Sequence, residues 1–453
     1  MTTETKKRPI NRLKTMYALR AMIDDMYKSG QEAKNEGKPV AWCMLDGGFA
    51  GPFLNAIGVE CVYPENYGTV CAASGKAAPY LERSAAEGFP DHLCGYARNC
   101  FGYTATLAEL GKIPEDAPSG GMPKPVLLLA SGMVCDARFK WFQALGTYLE
   151  APVWTLESPR PGARESLMEG TYERTVEFLV KGLREFSQFL EKLLGKKIDW
   201  VKFEEDVNTT IELNKLWYTI NQLRKARPGP MHSRDFWSSM SGSILSTLDR
   251  KVVNDFYQKM YDEVKARVDQ GISGINVEEK YRLAFIGLPP WHSLGFFDQL
   301  AERGWNFVIE QTYHPPRPIE LNWVKDPVEK LVRYRFQNLA YQIDEIFSPG
   351  EAAEVKKEIK EQGYSPRMAL RDAMEYQCDG AVLHTLLSCR GTTAPLFLSQ
   401  NQLMDVWNIP SLVIEGDIVD HTLFNPADAL RKAEAFEETM DHYKKIRKEK
   451  GLE

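Results

Sequence analysis

The stretch PVLLLASGMVCDARFKWFQAL, Pro125 to Leu145, holds the repeating unit of this chain: a short continuous apolar run, a turn of small residues, then a helical pattern. A strand apolar along its whole length belongs in a sheet covered on both faces, the hallmark of parallel α/β folds. A cysteine, Cys135, stands where the run gives way to the helix.

The same unit recurs on either side. Toward the N-terminus, PVAWCML (Pro39 to Leu45) ends in Asp46-Gly47-Gly48, and a second apolar run, Val59 to Tyr63, follows after a helix-sized gap. Toward the C-terminus comes PVWTLES, Pro152 to Ser158. Residues 38–165 therefore read as one α/β domain, preceded by a helical segment at residues 1–37. From Gly170 to Gln270 the pattern turns to long amphipathic helices such as YERTVEFLVKGLREFSQFLEKLL and FEEDVNTTIELNKLWYTINQLRKA, punctuated by RPGPMHSRD. This assigns residues 166–275 to a helical insertion. Strand-like YRLAFIGL, WNFVIE, GAVLHTLLS and PSLVIEGD then mark a second α/β domain over residues 276–453, closed by a charged helix. The expected fold is α/β: two Rossmann/flavodoxin-like parallel-sheet domains with a helical segment between them and a helical N-terminus. At roughly 150 residues per domain the length accommodates about three such units.

Hydrophobic residues make up 43% of the chain and the net charge is −6, so no basic excess invites nucleic acid or an anionic membrane. Residues 1–20 lack the apolar core of a signal peptide. No apolar run reaches the ~20 residues of a membrane-spanning helix. A cytoplasmic location is expected, where disulfides are disfavoured, so the eight cysteines are thiols or metal ligands.

Ligands of open parallel sheets gather at the carboxyl ends of strands. Cys135 and Cys389 each follow a strand-like run directly, and Cys94 lies in DHLCGYARNCFGY just before a helix. One thiol per loop, drawn from both halves, would place a metal centre in the cleft between domains. Scattered thiolates suit an iron–sulfur cluster better than a structural zinc, which favours paired C-x2-C knuckles, and the chain contains no such pair. Spacing alone does not separate this arrangement from ordinary core cysteines. Cys43, Cys61 and Cys71 stay with the core reading.

At these residues the chain resembles the family of 2-hydroxyacyl-CoA dehydratases and ATP-dependent benzoyl-CoA reductases. The resemblance rests on PENYG (Pro64 to Gly68), LCGYAR (Leu93 to Arg98), CDARFKWFQ (Cys135 to Gln143), LLSCRGT (Leu386 to Thr392) and IPSLVIEGDIVD (Ile409 to Asp420), in family order. It implies two α/β domains and a [4Fe–4S] cluster held by Cys94, Cys135 and Cys389. Cys100 and Cys378 are rival ligands. The first would sit further into the helix, and the second precedes the strand that Cys389 follows. Also implied are a homologous second cluster-bearing subunit and ATP-hydrolysing electron-activating subunits. Within the family, the N-terminal stretch and IEGDIVDHTLFNPADALRKAEAFEE look most similar to the larger subunit of class I benzoyl-CoA reductases. That similarity implies an aryl-CoA substrate and ring reduction by single electrons. The dehydratase branch, which eliminates water through a ketyl radical, is the alternative, and a non-catalytic iron–sulfur or assembly subunit is a third.

Other residues carry weaker signals. His292, after a strand end, suits a proton donor or a capping histidine; Glu65 in PENYG is an active-site candidate through the resemblance. Gly47 and Gly48 permit close backbone approach to a ligand or form a tight turn. Arg390, beside Cys389, suits a cluster sulfide, a substrate phosphate or a surface ion pair. Glu415, Asp417 and Asp420 cluster at the last strand's end, where capping is the structural alternative. ASGKAAP (Ala73 to Pro79) departs from a phosphate-loop motif at Val70 and Ala77, so nucleotide binding by this chain is not expected.

Overall fold

Strands form at the apolar runs of both halves. The computed structural model describes residues 8–45, 49–132, 135–159, 161–240, 249–336, 342–365, 367 and 371–452. In the first half the strands are β1 (Val40–Cys43), β2 (Glu60–Val62), β3 (Leu127–Ser131) and β4 (Val153–Leu156). In the second they are β5 (Tyr281–Ile286), β6 (Trp305–Glu310), β7 (Gly380–Leu386) and β8 (Ser411–Gly416). Their orders are β2-β1-β3-β4 and β6-β5-β7-β8, the same winding twice. Every strand pairing is parallel, with Trp42 opposite Leu128 in the first sheet and Phe285 opposite Val382 in the second. Strands β1, β3, β5 and β6 are buried throughout, while edge strand β8 alternates. Burial on both faces is why these segments are mostly apolar, and the polar residues that do enter them, Arg282, Asn306 and Glu310, are hydrogen-bonded or ion-paired.

In each sheet the chain winds outward in opposite directions from the first and third strands, so a crevice opens at their carboxyl ends. The helices between the sheets bind both. Helix Trp200–Leu223 reaches the first half, where Asn55 donates to Asp206 at 2.7 Å. Just past its end, Arg224 makes a paired contact with Glu310 of β6 at 2.7 and 2.9 Å. The N-terminal helix Thr15–Asn35 lies on the first sheet so closely that a Cβ on Gly30 would fall 2.8 Å from Val62. One apolar core runs from Ile10 to Met440 through both halves and the helical segment. Among the described residues no helix is long and apolar enough to cross a membrane.

Candidate active site

Cys94, Cys135 and Cys389 each occupy the residue just before a helix, ahead of Gly95–Leu110, Asp136–Leu149 and Arg390–Thr393. All three line one cavity of about 1390 Å³ at the carboxyl ends of the strands. They are partly exposed, whereas Cys43, Cys61, Cys71, Cys100 and Cys378 are buried. Proximity is close across the halves: a Cβ on Gly391 would lie 3.9 Å from that of Cys135. Burial pushes the Cys94 thiol up to about 12, opposed by the Ala97 amide and reinforced by Cys389 and Glu65. Burial also raises Cys135, with Arg138 opposing. Among the described residues no three His, Cys, Asp or Glu side chains converge on one ion.

The rival cysteines face elsewhere. Cys100 points into the first domain's core, 4.0 Å from the Thr104 hydroxyl. Cys378 is 2% exposed in the second sheet's core. Cys43, set aside on sequence as a core residue, also borders the cavity from the end of β1, though it is 1% exposed.

A hydrogen-bonded chain locks the Cys94 turn to the Cys389 turn. The Gly95 amide donates to Ser388 Oγ at 3.2 Å, Ser388 donates to the Asp417 carboxylate, and Asp417 accepts from the Val419 and Asp420 amides at 2.9 Å each. A Cβ on Gly95 would fall 2.5 Å from Asp417 Oδ1, so only glycine allows this approach. Arg98, one turn further, bridges Asp91 at 2.8 Å and Asp420 at 3.2 Å. The acidic motif after β8 is thus structural at Asp417 and Asp420. Glu415 is exposed on the edge strand.

Glu65 lines the cavity, held by Arg138 at 2.6–2.7 Å, while Arg138 also donates to the Leu45 carbonyl at 2.7 Å. Tyr96 and Tyr313 stand beside it. The Tyr96 hydroxyl accepts from Trp291 Nε1 at 2.7 Å, joining the halves. Tyr313 holds φ at +70°, a conformation side chains rarely adopt, and burial and Glu65 push its phenol up.

Not every expected residue arrives. His292 does not line the cavity, and its ring nitrogens contact Ser293 Oγ at 2.8 Å and the Asp417 carbonyl at 2.9 Å. Burial lowers its pKa, the opposite of what a ready acid requires. Arg390 is exposed and points outside the lining, which Gly391 and Thr392 supply instead. Gly47 and Gly48 lie outside the described residues. Sequence reasoning missed Arg138 and Tyr96, although both sit inside motifs it quoted; Tyr313 had no signal, since backbone strain leaves none.

Two alike-wound parallel sheets, with a cavity edged by thiols from both halves, define a two-domain α/β protein with a candidate site in the cleft. The chain belongs to the 2-hydroxyglutaryl-CoA dehydratase D-component family, whose pattern matches residues 52–440. It is 25% identical over 437 residues to the (R)-phenyllactyl-CoA dehydratase alpha subunit of Clostridium sporogenes, covering 96% of this chain and 98% of that one. It is 24% identical to the (R)-2-hydroxyisocaproyl-CoA dehydratase alpha subunit of Clostridioides difficile, covering 94% and 96%. A benzoyl-CoA reductase chain of Thauera aromatica is also 24% identical, but over 78% of each chain. The family expectation therefore holds, and the emphasis on the reductase branch shifts toward the dehydratases.

Proposed function

We propose that this chain is the alpha-type, cluster-bearing subunit of a 2-hydroxyacyl-CoA dehydratase, with Cys94, Cys135 and Cys389 as ligands of a [4Fe–4S] cluster. The observation carrying this reading is that all three partly exposed thiols edge one cleft, in a chain matched over 94% and 96% of its length by dehydratase alpha subunits. With three protein ligands, the bound cluster would supply an open iron as Lewis acid and single-electron donor to a thioester carbonyl. Loss of water removes the C2 hydroxyl and a C3 hydrogen, so a group must move protons. Glu65, fixed in the cavity wall by Arg138, is suited to take or return one at its carboxylate. Tyr96 and Tyr313 keep that wall apolar around a hydrogen-bonded edge and exclude water. His292 and Arg390 have no part in this reading. The chain lacks a phosphate loop, so ATP-driven electron delivery falls to separate activating subunits, and a homologous second cluster-bearing subunit completes the enzyme.

The second reading, dearomatisation of an aryl-CoA, draws on the relative matched over 78% of the chain. Feeding the anaerobic complex with ATP and its activator separates the two. A 2-hydroxyacyl-CoA should yield a 2-enoyl-CoA with only catalytic electron use. Stoichiometric reductant consumption with loss of the aromatic absorption of benzoyl-CoA, and no dehydration, would overturn the dehydratase reading in favour of the reductase.

A further inference from the structure

Behind the Glu65 wall lies a second, smaller cavity of about 290 Å³. Leu45, Glu65, Tyr96, Met240 and Tyr313 border both spaces, so this annex opens from the same partition that faces the thiols. Its other walls include Met16, Val70, Trp237, Trp291 and Leu294, of which the first four are at most 6% exposed. Resting on the CoA-thioester reading above, we infer that the annex receives the acyl side chain of the substrate, and that this side chain is uncharged and of phenyl or branched-alkyl size.

Position comes first. A thioester carbonyl at the partition would face the cavity edged by Cys94, Cys135 and Cys389, with the CoA arm in the large space and the side chain in the annex. Size agrees: an apolar cavity of about 150 Å³ already accepts benzene, so the annex has room for a phenyl group and its linking carbons. Chemistry decides the charge. A carboxylate on the side chain would need a buried cation without an acidic partner, because desolvating an unpaired charge is costly. The annex has three arginines, all from the N-terminal segment. Arg12 pairs with the buried Asp235 and Arg20 with Asp24 at 3.3 Å; Arg8 has no ion pair among the described residues, but it is exposed at the annex mouth, where solvent screens its charge, and not on the buried wall of Met16, Trp237 and Trp291. The neutral polar groups are committed as well. Asn66 accepts from the Tyr27 hydroxyl at 2.8 Å, and Thr69 donates to Tyr96 at 3.3 Å. The strained backbone of Tyr313 falls on the partition itself, and such strain is kept where a functional geometry requires it.

Calorimetric titration of the full chain, with any subunit it co-purifies with, tests this with four probes: 3-phenylpropanoyl-CoA, 4-methylpentanoyl-CoA, glutaryl-CoA and acetyl-CoA. The first two should bind at least tenfold more tightly than acetyl-CoA, and glutaryl-CoA no more tightly than acetyl-CoA. Met16→Trp, which fills the annex, should bring 3-phenylpropanoyl-CoA to the acetyl-CoA level. Unchanged acetyl-CoA affinity would report that the variant is folded. Leu294→Ala, a gentler change, should weaken 3-phenylpropanoyl-CoA severalfold and leave acetyl-CoA alone. Glutaryl-CoA binding as tightly as the apolar probes would overturn the inference while sparing the CoA reading, as would Leu294→Ala weakening all probes equally. Absence of binding by every CoA thioester would instead overturn the CoA reading beneath it.

Discussion

Both halves set a glutamate at the carboxyl end of their edge strand and pair it with an arginine, but they use the pair differently. Glu310 ends β6, and its partner Arg224 is likewise 0% exposed at the side chain; Asn221 and Ser233 complete the guanidinium's contacts at 3.0 and 2.9 Å. Glu65 follows β2, and its pair with Arg138 keeps about a tenth of each side chain open, at 12% and 11%, toward the cavity. One winding thus supplies a fully buried clamp in the second half and a partly open pair in the first. Cys135 and Cys389 show the same duplication, each following the third strand of its sheet. Cys94 has no counterpart: it comes from the crossover between β2 and β3, and the corresponding crossover of the second half ends in the buried Cys378. The two halves, wound alike, thus differ in the residues that edge the cavity.

Three tests sharpen that contrast. The largest effect belongs to the buried clamp. Arg224→Leu strands the Glu310 carboxylate and should cost about 3–5 kcal/mol in denaturant unfolding. Adding Glu310→Leu should recover most of it, since removing both charges removes the desolvation penalty. A stable single variant would show that the second-half pair is no clamp.

Next in size is the turn that ties Cys94 to Cys389. Gly95→Ala drives a methyl against Asp417 and should cost about 1–3 kcal/mol. Gly391→Ala, whose methyl meets only the Cys135 Cβ at 3.9 Å, should fall within about 0.5 kcal/mol of the parent. Equal costs at the two glycines would contradict the lock described between the turns.

The smallest effect is a pH dependence. Burial opposes the Asp420 charge, but the Thr422 hydroxyl and amide together with Arg98 outweigh it and hold the carboxyl below its ordinary value. A group depressed on folding contributes stability above its unfolded pKa, near 4, and loses it as pH falls through the folded value. Asp420→Asn should therefore flatten the acid limb of the stability curve while changing its slope near neutrality little. An unchanged acid limb would remove Arg98–Asp420 from the contacts that hold the halves together.

Much of this was legible in the sequence. The apolar runs located the strands because burial on both faces favours predominantly hydrophobic segments, and the thiols at strand ends marked the cleft. Cys100 and Cys378 were separable because helix phase and strand direction say which end of the sheet a residue occupies. What sequence could not carry were contacts made across the halves. Nothing local couples Gly95 to Asp417 or Tyr96 to Trp291, and nothing marks a tyrosine at φ +70°. For His292 the sequence offered a proton donor or a capping histidine, and the structure turns its imidazole to the Asp417 carbonyl. The quoted motifs did not separate the dehydratase and reductase branches; the longer coverage by dehydratase alpha subunits, 94% and 96% of the chain against 78%, shifts the reading.

The central claim is the ligand set, and iron with acid-labile sulfide per chain, measured on anaerobically purified protein co-produced with its partners, tests it most directly. Near four irons and four sulfides per chain are expected for a cubane, lost in Cys94→Ala, Cys135→Ala and Cys389→Ala and retained in Cys100→Ala and Cys378→Ala. Iron absent from protein never exposed to air, or lost equally in the buried-cysteine variants, would contradict the assignment.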